Sequence, residues 1–236
     1  MTIEFLFPEL CNLYGDMANI TYLRHCLPDA TFYETHNRET PRFLTEHVDL
    51  VYLGTMTERG QELALSRLMA CREELWKKIE DGMFVLATGN AGELFGKHID
   101  DGGRILPALD YFPCYARRNM ENRHNSMFIG TYEDMKIVGN KSQYSFSYGD
   151  FPDPFIRVTG GYGMNPDIRT EGIHYKNFYA TYLLGPFLVL NPPFTKDLLS
   201  RMGHRAPLAH EAEAMEAYEY RVSALEKTGV RYLMHE

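Results

Sequence analysis

Phe84-Val85-Leu86-Ala87-Thr88-Gly89-Asn90-Ala91-Gly92-Glu93-Leu94-Phe95-Gly96 is the stretch that decides the fold. Its first four residues are almost wholly apolar, as in a strand covered on both faces. Just upstream, Glu58 to Glu80 reads as one long helix. Leu63, Leu65, Leu68, Met69, Leu75 and Ile79 recur at helical spacing, and Gly82 ends the run. Asp49-Leu53, before that helix, is a β-branched and aromatic run closed by Gly54. Ile3-Phe7 and Thr31-Tyr33 are further strands, with a helix over Asn19-Cys26 between them. This alternation predicts an α/β fold whose parallel strands are joined by crossover helices.

Downstream the pattern changes. Met127-Tyr132, Lys136-Val138, Phe155-Thr159, Gly172-Tyr175 and Phe178-Leu183 read as strands separated by Gly, Asn, Asp and Pro turns. Two helices close the chain, over Pro192-Met202 and His210-Lys227. The stripe Met215, Tyr218, Val222 and Leu225 on the last one reads as a packing face. With no linker and no repeat visible, the expectation is one domain over residues 1–236, with a helical extension from about residue 205.

The chain has 236 residues and a formal net charge of -8. Without a Lys/Arg-rich run, that charge argues against nucleic-acid binding, which needs a basic surface for phosphates. No segment reaches the roughly 20 apolar residues of a membrane span, and the N-terminus reads as a first strand, not a signal peptide. The thiols of Cys11, Cys26, Cys71 and Cys114 are widely spaced, without a C-x-x-C pair. They are expected to be reduced and buried in a cytoplasmic protein. The histidines lack ligand spacing, so neither a metal nor another cofactor is expected. His204 and His210 read as surface groups.

Three blocks, in order, carry a resemblance. Pro8-Glu9-Leu10-Cys11-Asn12-Leu13-Tyr14-Gly15-Asp16, followed by Asn19-Ile20, resembles an N-L-Y-G-D-x-x-N-I opening. Asp49-Leu50-Val51-Tyr52-Leu53-Gly54 resembles a glycine-rich oxyanion strand. Glu171-Gly172-Ile173-His174-Tyr175-Lys176-Asn177-Phe178, Thr181-Tyr182-Leu183-Leu184-Gly185-Pro186 and Asn191-Pro192 resemble E-G-x-x-Y-K-N…T-Y-L-H-G-P…N-P. Together they resemble class I glutamine amidotransferases of the CobB/CobQ (cobyric acid synthase) type, nearest to the amidotransferase subunits of lipid II isoglutaminyl synthases. The resemblance implies a flavodoxin-like sandwich with a mostly parallel central sheet. It also implies a cysteine on a sharp strand–helix turn that attacks glutamine, a histidine that activates it, and backbone N–H groups that hold the oxyanion. The ammonia released would pass to a Mur-ligase-like partner.

The chain departs from this pattern at the reacting centre. Gly89 stands where the resemblance implies the cysteine, and Leu184 where it implies the histidine. Leucine can neither take nor give a proton. Gly54-Thr55-Met56 replaces a run of three glycines. The expectation is therefore a protein that keeps the fold without glutamine hydrolysis, docking a Mur-ligase-like partner or binding a small amino-acid-like ligand. Gly54, Thr55, Asn90, Glu93 and Arg123 are the candidate ligand-binding residues. Glu93 reads equally as a helix-end charge or a ligand contact. Arg123 matches the position of a substrate-contacting arginine, while Arg117 and Arg118 read as a solvated loop. Two rival expectations stand beside it: new chemistry in the same cleft, drawing on Thr88, Asn90, Glu93 and Arg123, or, with the register shifted so that a cysteine and a histidine still meet, a glutaminase subunit supplying ammonia for lipid II or cobyric acid amidation.

Overall fold

The computed structural model describes residues 1–230. The expected C-terminal extension is described only that far; its last residues lie outside the described part. The first half builds strands β1 (Thr2–Leu6), β2 (Thr31–Thr35), β3 (Leu50–Leu53) and β4 (Phe84–Thr88), with helices α1 (Met17–Cys26), α2 (Glu58–Met69) and α3 (Arg72–Glu80) between them. All four residues of β3 and the last four of β4 are buried, which is why the sequence there is continuously apolar rather than alternating.

The long helix expected over 58–80 is two helices. Thr57 caps the first, its hydroxyl accepting from Gly60 N at 3.0 Å. The chain leaves helical geometry at Cys71, whose φ is -127°. The break resets the helical phase, so Gln61, Leu65 and Leu68 face inward while Leu63 and Met69 are exposed.

The second half adds β5 (His98–Asp101), β6 (Arg104–Pro107), β7 (Cys114–Arg118), β8 (His124–Tyr132), β9 (Met135–Gln143), β10 (Ser145–Gly149), β11 (Pro154–Gly160), β12 (Thr170–Tyr175) and β13 (Phe178–Thr181). Helices α4 (Phe187–Leu190), α5 (Pro192–Arg201) and α6 (Glu211–Thr228) follow. The main sheet runs β2-β1-β3-β4-β13-β12-β11-β8-β9. It is parallel from β2 to β13 and antiparallel from there to β9, so it is mixed rather than mostly parallel. A second sheet, β10-β7-β5-β6, has no counterpart in the expectations.

On α6, Tyr218 and Leu225 pack with Ile129 and Val138, and Met215 and Val222 lie against the same cluster. The stripe read as a packing face is one. Among the described residues, no helix is long and apolar enough to cross a membrane.

Candidate functional site

Strands β3, β4 and β13 end side by side: Leu53 pairs with Ala87, and Thr88 with Thr181. The residues that follow them, Gly54-Thr55-Met56, Gly89-Asn90 and Tyr182-Leu183-Leu184, therefore meet at the carboxyl edge of the sheet, where open α/β folds bind ligands. Gly89 has φ +60° and opens a 3₁₀ helix, Gly89–Phe95, in place of the expected α-helix. The sharp turn is present, and its residue carries no side chain. A Cβ on Gly89 would lie 2.7 Å from both Cβ and Cγ2 of Thr55, and closer still to Thr55 Oγ1. Thr55 thus fills the space a side chain at 89 needs. Leu184 is 2% exposed, and its amide donates to Asn140 O at 3.1 Å.

The backbone amides at the end of β3 are engaged as well. Thr55 N donates to Asp16 Oδ2. Met56 N donates to Asn90 Oδ1 at 3.0 Å, while Asn90 Nδ2 donates to Met56 O at 2.9 Å. Asn90 clasps the two loops together instead of offering its amide to a ligand. Gly54 does not line the cleft. It is a close-packing position, where a Cβ would meet Cys11 O at 2.7 Å.

Asp16, fully buried, ties these segments together. Its carboxylate also accepts from Thr88 Oγ1 at 3.1 Å. Thr88 Oγ1 is shared with Tyr52 Oη at 2.8 Å, and that oxygen accepts from Asn19 Nδ2 at 2.8 Å. Burial pushes the Asp16 pKa up, and the hydrogen bonds from Thr55 and Thr88 oppose the shift. Thr88 is a strut in this network, in line with strand-end packing.

Glu93 is buried and turned inward. It accepts from Gln61 Nε2 at 2.8 Å, Tyr182 Oη at 2.9 Å and Ser145 Oγ. Burial raises its pKa, against the pull of these donors. Both readings offered for Glu93, helix-end charge and ligand contact, are thus replaced by an internal hub. Arg118, expected in a solvated loop, is a buried residue of β7. It donates to Gln61 Oε1 at 2.5 Å and pairs with Asp101 at 3.2 Å. Arg117 is exposed, as a solvated residue should be, though it too lies on β7.

What remains open is a cleft of about 100 Å³, bounded by Thr55, Met56, Glu58, Gly89, Asn90, Arg123, Gln143, Tyr144 and Leu184 among others. The Arg123 guanidinium lies 4.6 Å from the Tyr144 ring centroid. Of the expected ligand-binding set, Thr55, Asn90 and Arg123 line this cleft; Gly54 and Glu93 do not.

All four cysteines are free and buried, and none borders the cleft. Burial raises the thiol pKa values of Cys71 and Cys114 to about 11 and that of Cys11 further. His124 stacks on Tyr162 at 4.6 Å, and burial lowers its pKa to about 4. His174 stacks on Tyr179. His204 is half-buried with its Nε2 unpartnered, not a surface group, whereas His210 is exposed. Among the described residues, no group of three or more His, Cys, Asp or Glu could hold a metal.

Sequence reasoning missed Asp16, Gln61, Gln143, Ser145 and Tyr182. A signal existed for three of them. Asp16 closes the first quoted block, Tyr182 lies in the last, and Gln61 is a polar residue on the buried stripe of α2.

The chain matches the CobB/CobQ-like glutamine amidotransferase domain over residues 2–192. It is 30% identical over 219 residues to the lipid II isoglutaminyl synthase (glutamine-hydrolyzing) subunit GatD of Staphylococcus aureus, covering 92% of this chain and 90% of that one. The subunit of the same name from Streptococcus pneumoniae is 27% identical over 201 residues, covering 81% and 76%. Among solved structures, PurLQS from Thermotoga maritima superposes with a TM-score of 0.54 at 11% identity, covering 94% of this chain and 98% of that one. A glutamine amidotransferase crystal structure gives 0.55 at 10%, covering 85% and 99%. At those identities the structural likeness shows the fold alone, a flavodoxin-like class I sandwich. With the family model spanning most of its length, the chain belongs to the CobB/CobQ-like glutamine amidotransferases.

Proposed function

We propose that this protein is a catalytically degenerate amidotransferase subunit that does not hydrolyse glutamine and works by binding. One observation carries the reading: the elbow residue is Gly89, and Thr55 occupies the space that a side chain there would need. Three further features support it. Leu184 stands where a base is required. The Thr55 and Met56 amides, which could have held an oxyanion, donate to Asp16 and Asn90. No thiol borders the cleft.

Its relatives are named as subunits of a glutamine-hydrolyzing synthase. The corresponding role here is to dock a Mur-ligase-like partner in the cytoplasm, as a single amidotransferase-like domain with a C-terminal helical extension. The free thiols fit that compartment. The rival reading, new chemistry in the cleft, loses its main groups: Thr88 and Glu93 are held in internal networks, and Asn90 in its clasp.

The test is ammonia release from L-glutamine by the purified protein, with and without a Mur-ligase-like partner. The comparison is a variant carrying Thr55→Gly, Gly89→Cys and Leu184→His. No release by the natural protein is expected in either condition. Turnover by it would overturn the proposal.

A further inference from the structure

The outer face of the second sheet is not built like a solvated one. Successive side chains of a strand point to opposite faces. In β5, β7 and β10 the inward residues Ile99, Cys114, Ala116, Ser145 and Ser147 are buried. The outward ones, His98, Asp100, Tyr115, Arg117, Phe146 and Tyr148, are half-buried or exposed. Four of these six are rings, and none is Lys or Glu. On β6, Ile105 is registered against Asp100 and is 54% exposed. An antiparallel sheet that faces water carries polar residues there, whereas Tyr, Phe and Arg concentrate, and Lys and Glu thin out, where proteins touch each other. The rings are already held in place. His98 stacks on Tyr115 at 4.8 Å, Tyr115 lies 5.9 Å from Tyr148, and the Arg117 guanidinium sits 5.8 and 5.3 Å from those two tyrosine rings. Side chains fixed in advance lose little rotamer freedom on contact. The charges on this face cancel. Asp100 and Arg117 face each other across the β5–β7 pairing, with Arg117 Nε 3.3 Å from Asp100 Oδ2. The whole chain has a formal net charge of -8, so two copies repel over most of their surface. This neutral face is outside that repulsion. A strongly acidic or basic partner would gain nothing from it. A neighbouring cation and anion are, however, complementary to themselves. A two-fold axis through the pair sets each Arg117 against the other copy's Asp100, the relation an isologous contact requires.

We propose that this outer face is where two copies of the chain meet, about a two-fold axis beside Arg117 and Asp100. Tyr115 and Tyr148 are the aromatic anchors of the contact, and the two Arg117–Asp100 pairs form a ring of alternating charge at its centre. The inference is independent of what the cleft binds and of whether it hydrolyses glutamine. Pairing of this kind makes the protein bivalent, so that whatever one copy docks is held beside whatever the other docks.

Sedimentation velocity of the purified protein, from about 1 to about 300 µM, should show a monomer passing into a dimer. Arg117→Asp leaves two acids on the face and Asp100→Arg leaves two cations. Each variant alone should associate about tenfold or more weakly, through like-charge contact. An equimolar mixture of the two should associate to within about tenfold of the natural protein, because an acidic face then meets a basic one. Only pairing between chains gives this rescue, since mixing does not repair a variant that has merely disturbed its own fold. Asp100 also accepts from Gly103 N at 3.3 Å in the β5–β6 turn. Ile105→Arg, which leaves that turn intact, is therefore a second basic variant, and its mixture with Arg117→Asp should rescue in the same way. The inference is overturned if the natural protein stays monomeric throughout, which would leave the face to solvent or to a different protein. It is overturned equally if Arg117→Asp dimerises as tightly as the natural protein, or if neither mixture restores association.

Discussion

Thr55 and Gly89 should behave as one unit, and a double-mutant cycle measures how strongly. In Gly89→Ala, the new Cβ meets Thr55 Cβ and Cγ2 at 2.7 Å, with Oγ1 nearer still. Overpacking of this kind costs about 1–3 kcal/mol. Gly89 also has φ +60°, a conformation that costs a residue with a Cβ about 1–2 kcal/mol. The single variant should therefore lose about 2–5 kcal/mol. For a chain of this length that is a fall in Tm of roughly 4–20 °C. With Thr55→Gly already in place, the steric part vanishes and only the backbone part remains, about 1–2 kcal/mol. The coupling energy should thus be about 1–3 kcal/mol in favour of the pair. Urea unfolding of the four proteins reads it directly. A coupling below about 0.5 kcal/mol would mean that the sites are independent, and that Thr55 does not occupy the elbow. By the same contacts, a cysteine side chain at position 89 has room only with Thr55→Gly beside it.

Other consequences can be checked separately. Lys141 and Glu171 form a fully buried ion pair in which Lys141 Nζ also donates to Gly163 O at 2.7 Å. Lys141→Met strands the carboxylate and should cost about 3–5 kcal/mol by urea unfolding; a loss under about 1 kcal/mol would argue against a buried charge at Glu171. His124 has its pKa lowered to about 4, first by burial and then by Lys141. The unfolded chain takes up its proton near 6.5 while the folded protein does not, so stability falls as pH drops from there towards about 4. His124→Gln should flatten that part of the stability–pH curve, and an unchanged slope would refute the assignment.

The main sheet was legible where its strands are buried on both faces. Phe84-Val85-Leu86-Ala87 and Asp49-Leu53 can be read without a partner in view, because the burial of each element is written in its own residues. The second sheet was not legible. His98-Ile99-Asp100-Asp101 is a four-residue strand with one buried side chain and two acids, and by composition it looks like a loop. The turn at Gly89 was legible too, since a glycine after a buried strand is written in the sequence itself, and the structure gives it φ +60°. The role of Glu93 was invisible, because its partners Gln61, Ser145 and Tyr182 are 32, 52 and 89 residues away. Arg118 was misread for the same reason: its neighbours in sequence are exposed, and only the pairing of β7 turns it inward.

The position of β13 between β4 and β12 has a consequence for the order in which the molecule is made. Strands β1 to β4 can pair as soon as they leave the ribosome, but the other edge of β4 finds its parallel partner only at Phe178–Thr181, some ninety residues later. Until then an apolar edge, Val85-Leu86-Ala87, stands open beside unfinished chain. Closing so distant a contact is slow, and an open edge in the interval is a template for pairing with another molecule. A nascent chain stalled between β12 and β13 should therefore be the species that chaperones hold most and that aggregates first.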